Sequence, residues 1–255
     1  MNWYGNWALF RRECQRFLWV WTQTLGAPLV SAMLYFAVFG GALGGRIGDA
    51  DAGISYLQFL TPGLAAMGII QHAFQNTSSS LIQMKYLGML QSDLLALPLK
   101  PVQIVLAFTG AAILRGLLVG VGILLVSRCF VTFSIVKPLL LLGATLVMAA
   151  IFGLVGLLTG IWAKSFDQVA LVGNFILTPL VYLGGVFFAN SMLPAGWQTV
   201  PLFNPVFYLV DLFRHGVLGV GQTPPGNAII AVLLVLLGLF ILSVLLFRFG
   251  WRLKN

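Results

Sequence analysis

Uncharged apolar runs, separated by short polar connectors, make up most of the chain. A membrane-crossing helix needs roughly 20 such residues, because each residue adds about 1.5 Å along a hydrocarbon core about 30 Å thick. The runs are continuous rather than alternating, which favours helices over a β-barrel. We therefore expect an all-α integral membrane protein with six transmembrane helices, at about residues 22–43, 57–81, 105–127, 138–162, 168–188 and 228–247.

The stretch from Gln168 to Val210 carries no charge, yet it is too long for one crossing and too short for two crossings with a loop. Helix-breaking residues interrupt it from near its middle onward, namely Gly184, Gly185, Pro194, Gly196, Pro201 and Pro205. Proline removes a backbone donor and clashes with the preceding helical turn. We expect one span followed by short helices at 189–216 that re-enter the membrane from its outer face, covered there by protein or water.

Aromatic residues near the N-terminus recur at alternating steps of four and three, so a helix over residues 1–21 carries them along one stripe. The stripe consists of Trp3, Trp7, Phe10, Cys14, Phe17 and Trp21, while Arg12, Gln15 and Arg16 lie off it. Such a helix can lie in the membrane interface, with its aromatic side in lipid and its basic side toward headgroups. The pattern favours this interfacial helix over a simple lead-in to the first span.

The connector at 85–101 is the longest polar interruption in the body of the chain. Its apolar stripe contains Leu87, Leu90, Leu94 and Leu97, and Lys85, Ser92, Asp93, Ala96 and Lys100 face away from it. Pro98 and Pro101 end the helix. The pattern predicts a short amphipathic helix at a membrane face, although an ordinary solvated loop helix has the same pattern.

The second span is unusually polar. Gln71, Gln75 and Ser78 share one helical face, and His72, Asn76 and Ser79 share the adjoining one. Because an uncompensated amide is costly in lipid, these faces must meet other helices or a cavity. Hydrogen bonding between helices explains them at least as well as contact with a ligand. Arg115 in the third span has the same need for a partner or water, while Gly116 and Gly120 allow a neighbouring backbone to approach closely.

Composition and charge agree with a membrane protein. Only 8% of the residues are charged, against about 25% in soluble domains. The net charge of +8 does not indicate nucleic acid, because the basic residues sit singly at the ends of spans. Basic residues favour the cytoplasmic side, and an orientation with both termini inside places nine there and four outside. The nine are Arg11, Arg12, Arg16, Lys85, Lys100, Lys164, Arg248, Arg252 and Lys254; the four are Arg46, Arg128, Lys137 and Arg214.

Catalytic and energy-coupling motifs are missing from the sequence. None of the six acidic residues falls in a predicted span, whereas ion-coupled carriers usually need intramembrane carboxylates. The chain lacks an H-E-x-x-H motif, a phosphate-binding loop and a metal-ligand spacing around Cys14 or Cys129. We expect no catalytic, metal or cofactor site in this chain, and energy supplied by another polypeptide. An ATP-independent carrier or a membrane scaffold is the alternative, and an intramembrane enzyme is a poorer third.

One set of residues resembles the permease subunits of ABC-2 type transporters. It comprises the run Thr178–Phe188 (TPLVYLGGVFF), then Leu193-Pro194, Trp197, Asn204-Pro205, Tyr208 and Arg214. Their order and spacing are similar to those of small single-domain bacterial exporter permeases, and the likeness extends over nearly the whole chain. The resemblance implies one transmembrane domain, 1–255, in the bacterial inner membrane. It does not indicate which drug, lipid, glycolipid or saccharide would be carried.

The resemblance also implies partners and sites. A second copy of the permease, as a homodimer, and two ATP-binding cassette subunits carrying Mg-ATP would complete the transporter. The connector would be the coupling helix, so ATPase coupling is expected at Leu87, Leu90, Asp93, Leu94, Leu97, Arg12 and Arg16. The substrate pathway is expected along the first, second and fifth spans, at Gln71, Gln75, Asn76, Asn174, Thr178 and Tyr182. The extracellular gate is expected at Pro194, Trp197, Asn204, Pro205 and Tyr208.

Overall fold

The computed structural model describes residues 3–43, 49–51, 54–90, 94 and 98–250, and these are almost entirely helical. The helices are α1 (Trp3–Trp19), α2 (Ala27–Ala37), α3 (Tyr56–Tyr86), α4 (Pro101–Ser127), α5 (Pro138–Trp162), α6 (Phe166–Leu171), α7 (Thr178–Val181), α8 (Pro205–Leu218) and α9 (Pro225–Phe249). Wider π-helical turns extend α2 on both sides (Thr22–Gly26, Val38–Leu43) and surround α7 (Val172–Leu177, Tyr182–Val186). Two very short strands, β1 (Asp49–Asp51) and β2 (Ile54–Ser55), pair antiparallel just before α3.

Five helical stretches of the described chain are long and apolar enough to cross a membrane: Thr22–Gly40, Pro101–Ser127, Pro138–Trp162, Phe166–Val186 and Ala228–Phe249. They correspond to the predicted first, third, fourth, fifth and sixth spans. The predicted second span is α3, which is long enough but too polar to be recognised by composition. The structure therefore supports a helical membrane protein.

Helix α3 forms the centre of the bundle and packs mainly on α4 and α5. A capping box starts it, in which the Ser55 hydroxyl accepts from the backbone N–H of Gln58 and the Gln58 side chain accepts from that of Ser55, each at 3.3 Å. Glycines bring the neighbouring helices close to it. Gly116 and Gly120 of α4 lie against Ile69, which confirms the predicted close approach.

Side chains from several helices meet in a cluster at one end of the bundle. It includes Leu9, Leu81, Met84, Leu90, Leu94, Ile104, Phe108, Leu157, Ile161 and Phe247. The Lys85 ammonium group donates at 2.9 Å to the carbonyl of Ala163, just past the end of α5, which suits the partial negative charge at a helix C-terminus. The beginnings of α1 and α4 therefore share this end with the final turns of α3, α5 and α9. We call it the Lys85 end.

The broken stretch has the architecture that its glycines and prolines predict. Helix continues to Val186, but Gly185 adopts φ +76°, which a residue with a side chain rarely tolerates. Three short 3₁₀ turns follow, at Asn190–Met192, Ala195–Trp197 and Pro201–Phe203, and α8 comes next. Whether these turns re-enter the membrane stays a prediction.

Candidate functional site

A polar cavity of about 320 Å³ opens on the exposed side of α3, halfway along the helix, toward the first span and α4. We call it the α3 cavity. Its polar lining consists of Gln23, Ser31, Tyr35, Gln71, His72 and Gln75. Leu64, Met67 and Ile123 supply apolar wall. The predicted pathway residues Gln71 and Gln75 therefore lie together on a face that the rest of the described chain leaves uncovered.

Arg115 lies behind this cavity and pairs with His72. The guanidinium Nη2 is 3.1 Å from His72 Nδ1, and Arg115 is only 6% exposed. A guanidinium can only donate, so Nδ1 accepts and the imidazole proton sits on Nε2. Sequence reasoning missed this pair because the two residues are 43 positions apart and lie on different helices.

Asn76 does not line the cavity, so the structure does not bring it together with Gln71 and Gln75. Its side chain is completely buried, and its amide oxygen accepts from Arg16 at 3.3 Å. The reason is helical geometry. Asn76 lies five residues after Gln71, so its side chain points about 140° away from that of Gln71 around the helix axis. Asn76 therefore contacts α1 instead of facing the exposed side of α3.

The fifth span reaches the cavity through one residue. Tyr182 packs edge-on against Phe187 with ring centroids 5.2 Å apart, and Phe187 in turn packs against Tyr35, a cavity residue, with ring centroids 5.9 Å apart. Thr178 instead donates to the carbonyl of Gly173 at 3.0 Å, within its own helix. Asn174 is exposed and is not among the residues that line the cavity. Of the three predicted pathway residues on this span, the structure brings only Tyr182 beside the cavity.

The two arginines of α1 do not both face outward as predicted. Arg16 donates to the carbonyl of Asn76 at 2.6 Å and to the hydroxyl of Ser79 at 3.3 Å. Arg12 contacts the Met84 sulfur at 3.1 Å and remains 42% exposed. The cause is Glu13, which is buried and needs a cation nearby. Arg16 therefore ties α1 to α3 and does not point toward headgroups.

The connector after α3 is held to the bundle by part of its leucine stripe. Leu90 and Leu94 are buried in the cluster at the Lys85 end, whereas Leu87 and its neighbour Tyr86 are largely exposed. Asp93 and Leu97, also predicted to couple to an ATPase, lie outside the described residues. Of the predicted coupling leucines that the structure describes, only Leu87 is free for a partner.

The sequence pattern of the ABC-2 type transporter family matches residues 4–218. The chain belongs to this family. It is 40% identical over 225 residues to the inner membrane transport permease YadH of Escherichia coli K12, covering 88% of this chain and 87% of that one. It is 25% identical over 215 residues to nodulation protein J of Rhizobium leguminosarum bv. viciae, covering 84% and 83% of the two chains.

The chain is thus a membrane transport permease of the inner membrane, and not an enzyme. Its family generally works with an ATPase partner. The described residues contain no group of three or more His, Cys, Asp and Glu side chains placed to hold a metal ion.

Several residues predicted to form an extracellular gate in the permease fix the backbone around α8. Asn204 caps that helix by accepting from the Val206 N–H at 3.0 Å, and its amide group donates to the Leu180 carbonyl at 2.6 Å. Pro205 occupies the first helical turn. Tyr208 donates to the Leu202 carbonyl at 2.9 Å. Pro194 and Trp197 are exposed and stay candidates for a gate.

Two charged residues of α8 have structural roles that the sequence analysis did not assign. The Asp211 carboxylate accepts from the backbone N–H groups of Gln222 and Thr223, at 2.8 and 2.9 Å, and so fixes the loop before α9. Arg214 donates to the carbonyl of Gly185 at 2.7 Å and lies 3.9 Å above the ring of Phe59. The sequence held one signal for these roles: Asp211 and Arg214 form a charged pair, three positions apart, directly after a long uncharged stretch.

Proposed function

We propose that this permease is the membrane-spanning half of an ATP-driven exporter. Two copies would form a homodimer around a central pathway for a hydrophobic or amphipathic substrate. Two separate ATPase subunits would bind Mg-ATP at the cytoplasmic ends of the helices. The observation that carries the proposal is the α3 cavity, an uncovered polar face at membrane depth in a family of transport permeases.

The helices beside this cavity suit a second copy. Only 22% of the first span and 28% of the fifth span is buried within one chain, against 61% for α4 and α5. An exposed amide such as Gln75 is unfavourable in lipid. A second permease facing the cavity would remove the Gln75 amide from lipid and leave a polar path between the copies.

Six membrane crossings fit the packing better than five. Leu9 of α1 and Phe247 of α9 belong to the same cluster at the Lys85 end. An odd number of crossings would place them on opposite faces of the membrane. Counting α3 as a crossing makes the number even. Its polarity is tolerable because most of the helix is buried among other helices and its exposed polar face lines the α3 cavity. The excess of basic residues then favours both termini in the cytoplasm.

The energy source follows from where the acidic residues lie. Five are outside the five apolar spans and outside α3, at Glu13, Asp49, Asp51, Asp93 and Asp211, and the sixth, Asp167, is exposed at the very start of the Phe166–Val186 stretch. Proton or sodium coupling through an intramembrane carboxylate therefore has no candidate residue. ATP hydrolysis in a partner, as the family generally uses, accounts for transport without one.

The connector at the Lys85 end is where the ATPase would act. Leu90 and Leu94, packed in the helix cluster, would transmit movement of the connector to the bundle. Leu87, which is 57% exposed, would contact the ATPase. Arg16 would act indirectly, because it links α1 to α3.

The experiment is to purify the permease with its ATPase and to compare complex formation and ATP hydrolysis for Leu87→Asp and Ile135→Asp. Both residues are exposed and apolar, but Ile135 lies in the connector at the opposite end of the bundle. We expect Leu87→Asp to weaken the complex about tenfold or more, as truncation of an interface anchor does. Ile135→Asp should leave the complex unchanged. Normal assembly and hydrolysis with Leu87→Asp would exclude this contact.

A further inference from the structure

The α3 cavity carries an excess of positive charge. Arg115 is permanently charged and lies directly behind His72, which lines the cavity. Its Nε has no hydrogen-bond partner. The one acidic residue of α1, Glu13, is already paired with Arg12 and Arg16. In a membrane interior, where water screens poorly, such an uncompensated cation attracts anions strongly.

The lining presents hydrogen-bond donors as well as charge. Because Arg115 donates to Nδ1, His72 keeps its proton on Nε2 and can only donate with that nitrogen. The amide groups of Gln71 and Gln75 and the hydroxyl of Tyr35 add further donors on the same cavity. Donors with a cation behind them match the oxygens of a phosphate or carboxylate.

The remaining wall is apolar. Leu64 and Met67 of α3 and Ile123 of α4 lie on the same cavity. The volume of about 320 Å³ is at the lower end of the range for small-molecule sites. It accommodates a headgroup with a few carbons rather than a whole lipid. One molecule with an anionic group and an alkyl portion would satisfy both parts of the lining.

We propose that the α3 cavity binds the anionic headgroup of an amphipathic molecule, with Arg115 supplying the attraction and His72 the contact. This inference rests on the proposed transport function for its meaning, since it assigns the substrate an anionic class. The bound headgroup could belong to a transported amphiphile or to a resident anionic lipid. Both share the same chemistry in the cavity.

The test measures binding to the purified permease, without ATPase or nucleotide, in nanodiscs of phosphatidylcholine. The probes are octyl phosphate, octyl glucoside and octyltrimethylammonium, and calorimetry measures the binding of each. We expect octyl phosphate to bind at least about tenfold more tightly than the other two probes. Equal affinity for all three would overturn the proposal. Because neither ATP nor a partner is present, the result is independent of whether the exporter assignment is correct.

Two cavity variants and one control variant locate the binding to this cavity. Arg115→Gln keeps side-chain donors but removes the charge, and should abolish the preference for octyl phosphate. Arg128→Gln makes the same change on an exposed loop residue and should leave the preference intact. Gln75→Glu changes an exposed cavity residue, so it does not depend on tolerance of a buried substitution. It should reverse the preference toward octyltrimethylammonium. Unaltered selectivity in Gln75→Glu would exclude the cavity as the site.

Two further arms separate the sources of the headgroup. Inorganic phosphate should compete poorly, because it buries no alkyl group against Leu64 and Ile123; equal competition would overturn the amphiphile part of the proposal. Replacing part of the phosphatidylcholine with phosphatidylglycerol should weaken octyl phosphate binding if lipid headgroups reach the cavity. Unchanged binding would assign the cavity to a transported molecule instead. Either result fits the anionic site and decides which amphiphile occupies it.

Discussion

Glu13 shows how one residue can determine the placement of a helix. It has no exposed surface, and its carboxylate lies 3.3 Å from Arg16 Nε and 3.7 Å from Arg12 Nη2. A buried carboxylate is tolerated only with such partners. Arg16 extends the network to the backbone of Asn76 on α3. The acidic residue of α1 therefore turns the basic side of the helix inward.

Removing that charge should loosen α1. In Glu13→Gln the two arginines lose their counterion, and we expect a destabilisation of about 1–3 kcal/mol, typical for loss of a charged hydrogen bond. Thermal unfolding of the purified permease measures this destabilisation. Asp167→Asn makes the same change at an exposed acid and should cost less than about 1 kcal/mol, the usual value for a charge in the first turn of a helix. If both variants unfold at the same temperature, the Glu13 network is not stabilising.

At the scale of elements, the contact between α3 and α5 depends on the absence of side chains. A Cβ at Gly156 would overlap the Phe74 carbonyl oxygen, which belongs to the backbone and cannot move aside. Close by, the Thr77 hydroxyl donates to the Gly153 carbonyl at 2.7 Å. Small residues that let two backbones approach in this way are a main source of helix association in membranes.

Gly156→Ala should therefore push α5 away from α3 and destabilise the permease by about 1–3 kcal/mol, the usual cost of overpacking. Gly143→Ala is the matched control on the same helix, since a Cβ there meets nothing within 4 Å. It should be neutral or stabilising by up to about 1 kcal/mol, because alanine favours helix more than glycine. Comparing the unfolding temperatures of the two variants shows whether packing at Gly156 stabilises the permease. Equal loss in both would mean that helix propensity, not packing, is responsible.

The helices were largely predictable from the sequence, but their partners were not. The predicted fourth span, 138–162, coincides with α5, because run length and Pro138 are local signals. The pairing of Arg115 with His72 and the inward turn of Arg16 depend on which helices become neighbours. Asn76 shows the limit: its polarity was visible, but the partner that buries it is 60 positions away. The same applies to Asn204: its predicted place in a gate stays a prediction, and its role as the cap of α8 was not predicted.

At the scale of the whole molecule, the two flanks of the bundle suit different surroundings. On one flank, the first and fifth spans are mostly exposed and the polar α3 cavity lies beside the first. On the other, only 11% of α9 is buried, and its exposed side chains are chiefly leucine, isoleucine and valine. Lipid tails suit the second flank, whereas the amides of the first need protein, water or a polar headgroup. The orientation of this asymmetric bundle in the membrane then decides which end an ATPase can reach.

The native cysteines can report that orientation. Cys129 is exposed in the connector between α4 and α5, at the end opposite Lys85. Cys14 is buried, and this burial, together with the neighbouring Glu13 carboxylate, raises the pKa of its thiol to about 11. Since the thiolate is the reactive form, Cys14 should stay unmodified well below pH 11. At pH 7.5 a maleimide should therefore label one site per chain.

If both termini are cytoplasmic, a membrane-impermeant maleimide added to intact spheroplasts should label Cys129 without permeabilisation. Cys129→Ser should remove the label, and Cys14→Ser should not change it. Cys14 should become reactive only after unfolding. Labelling that requires permeabilisation would place the α4–α5 connector in the cytoplasm and Leu87 outside. An ATPase could then not reach the Lys85 end, and the proposed coupling would fail even though the fold was right.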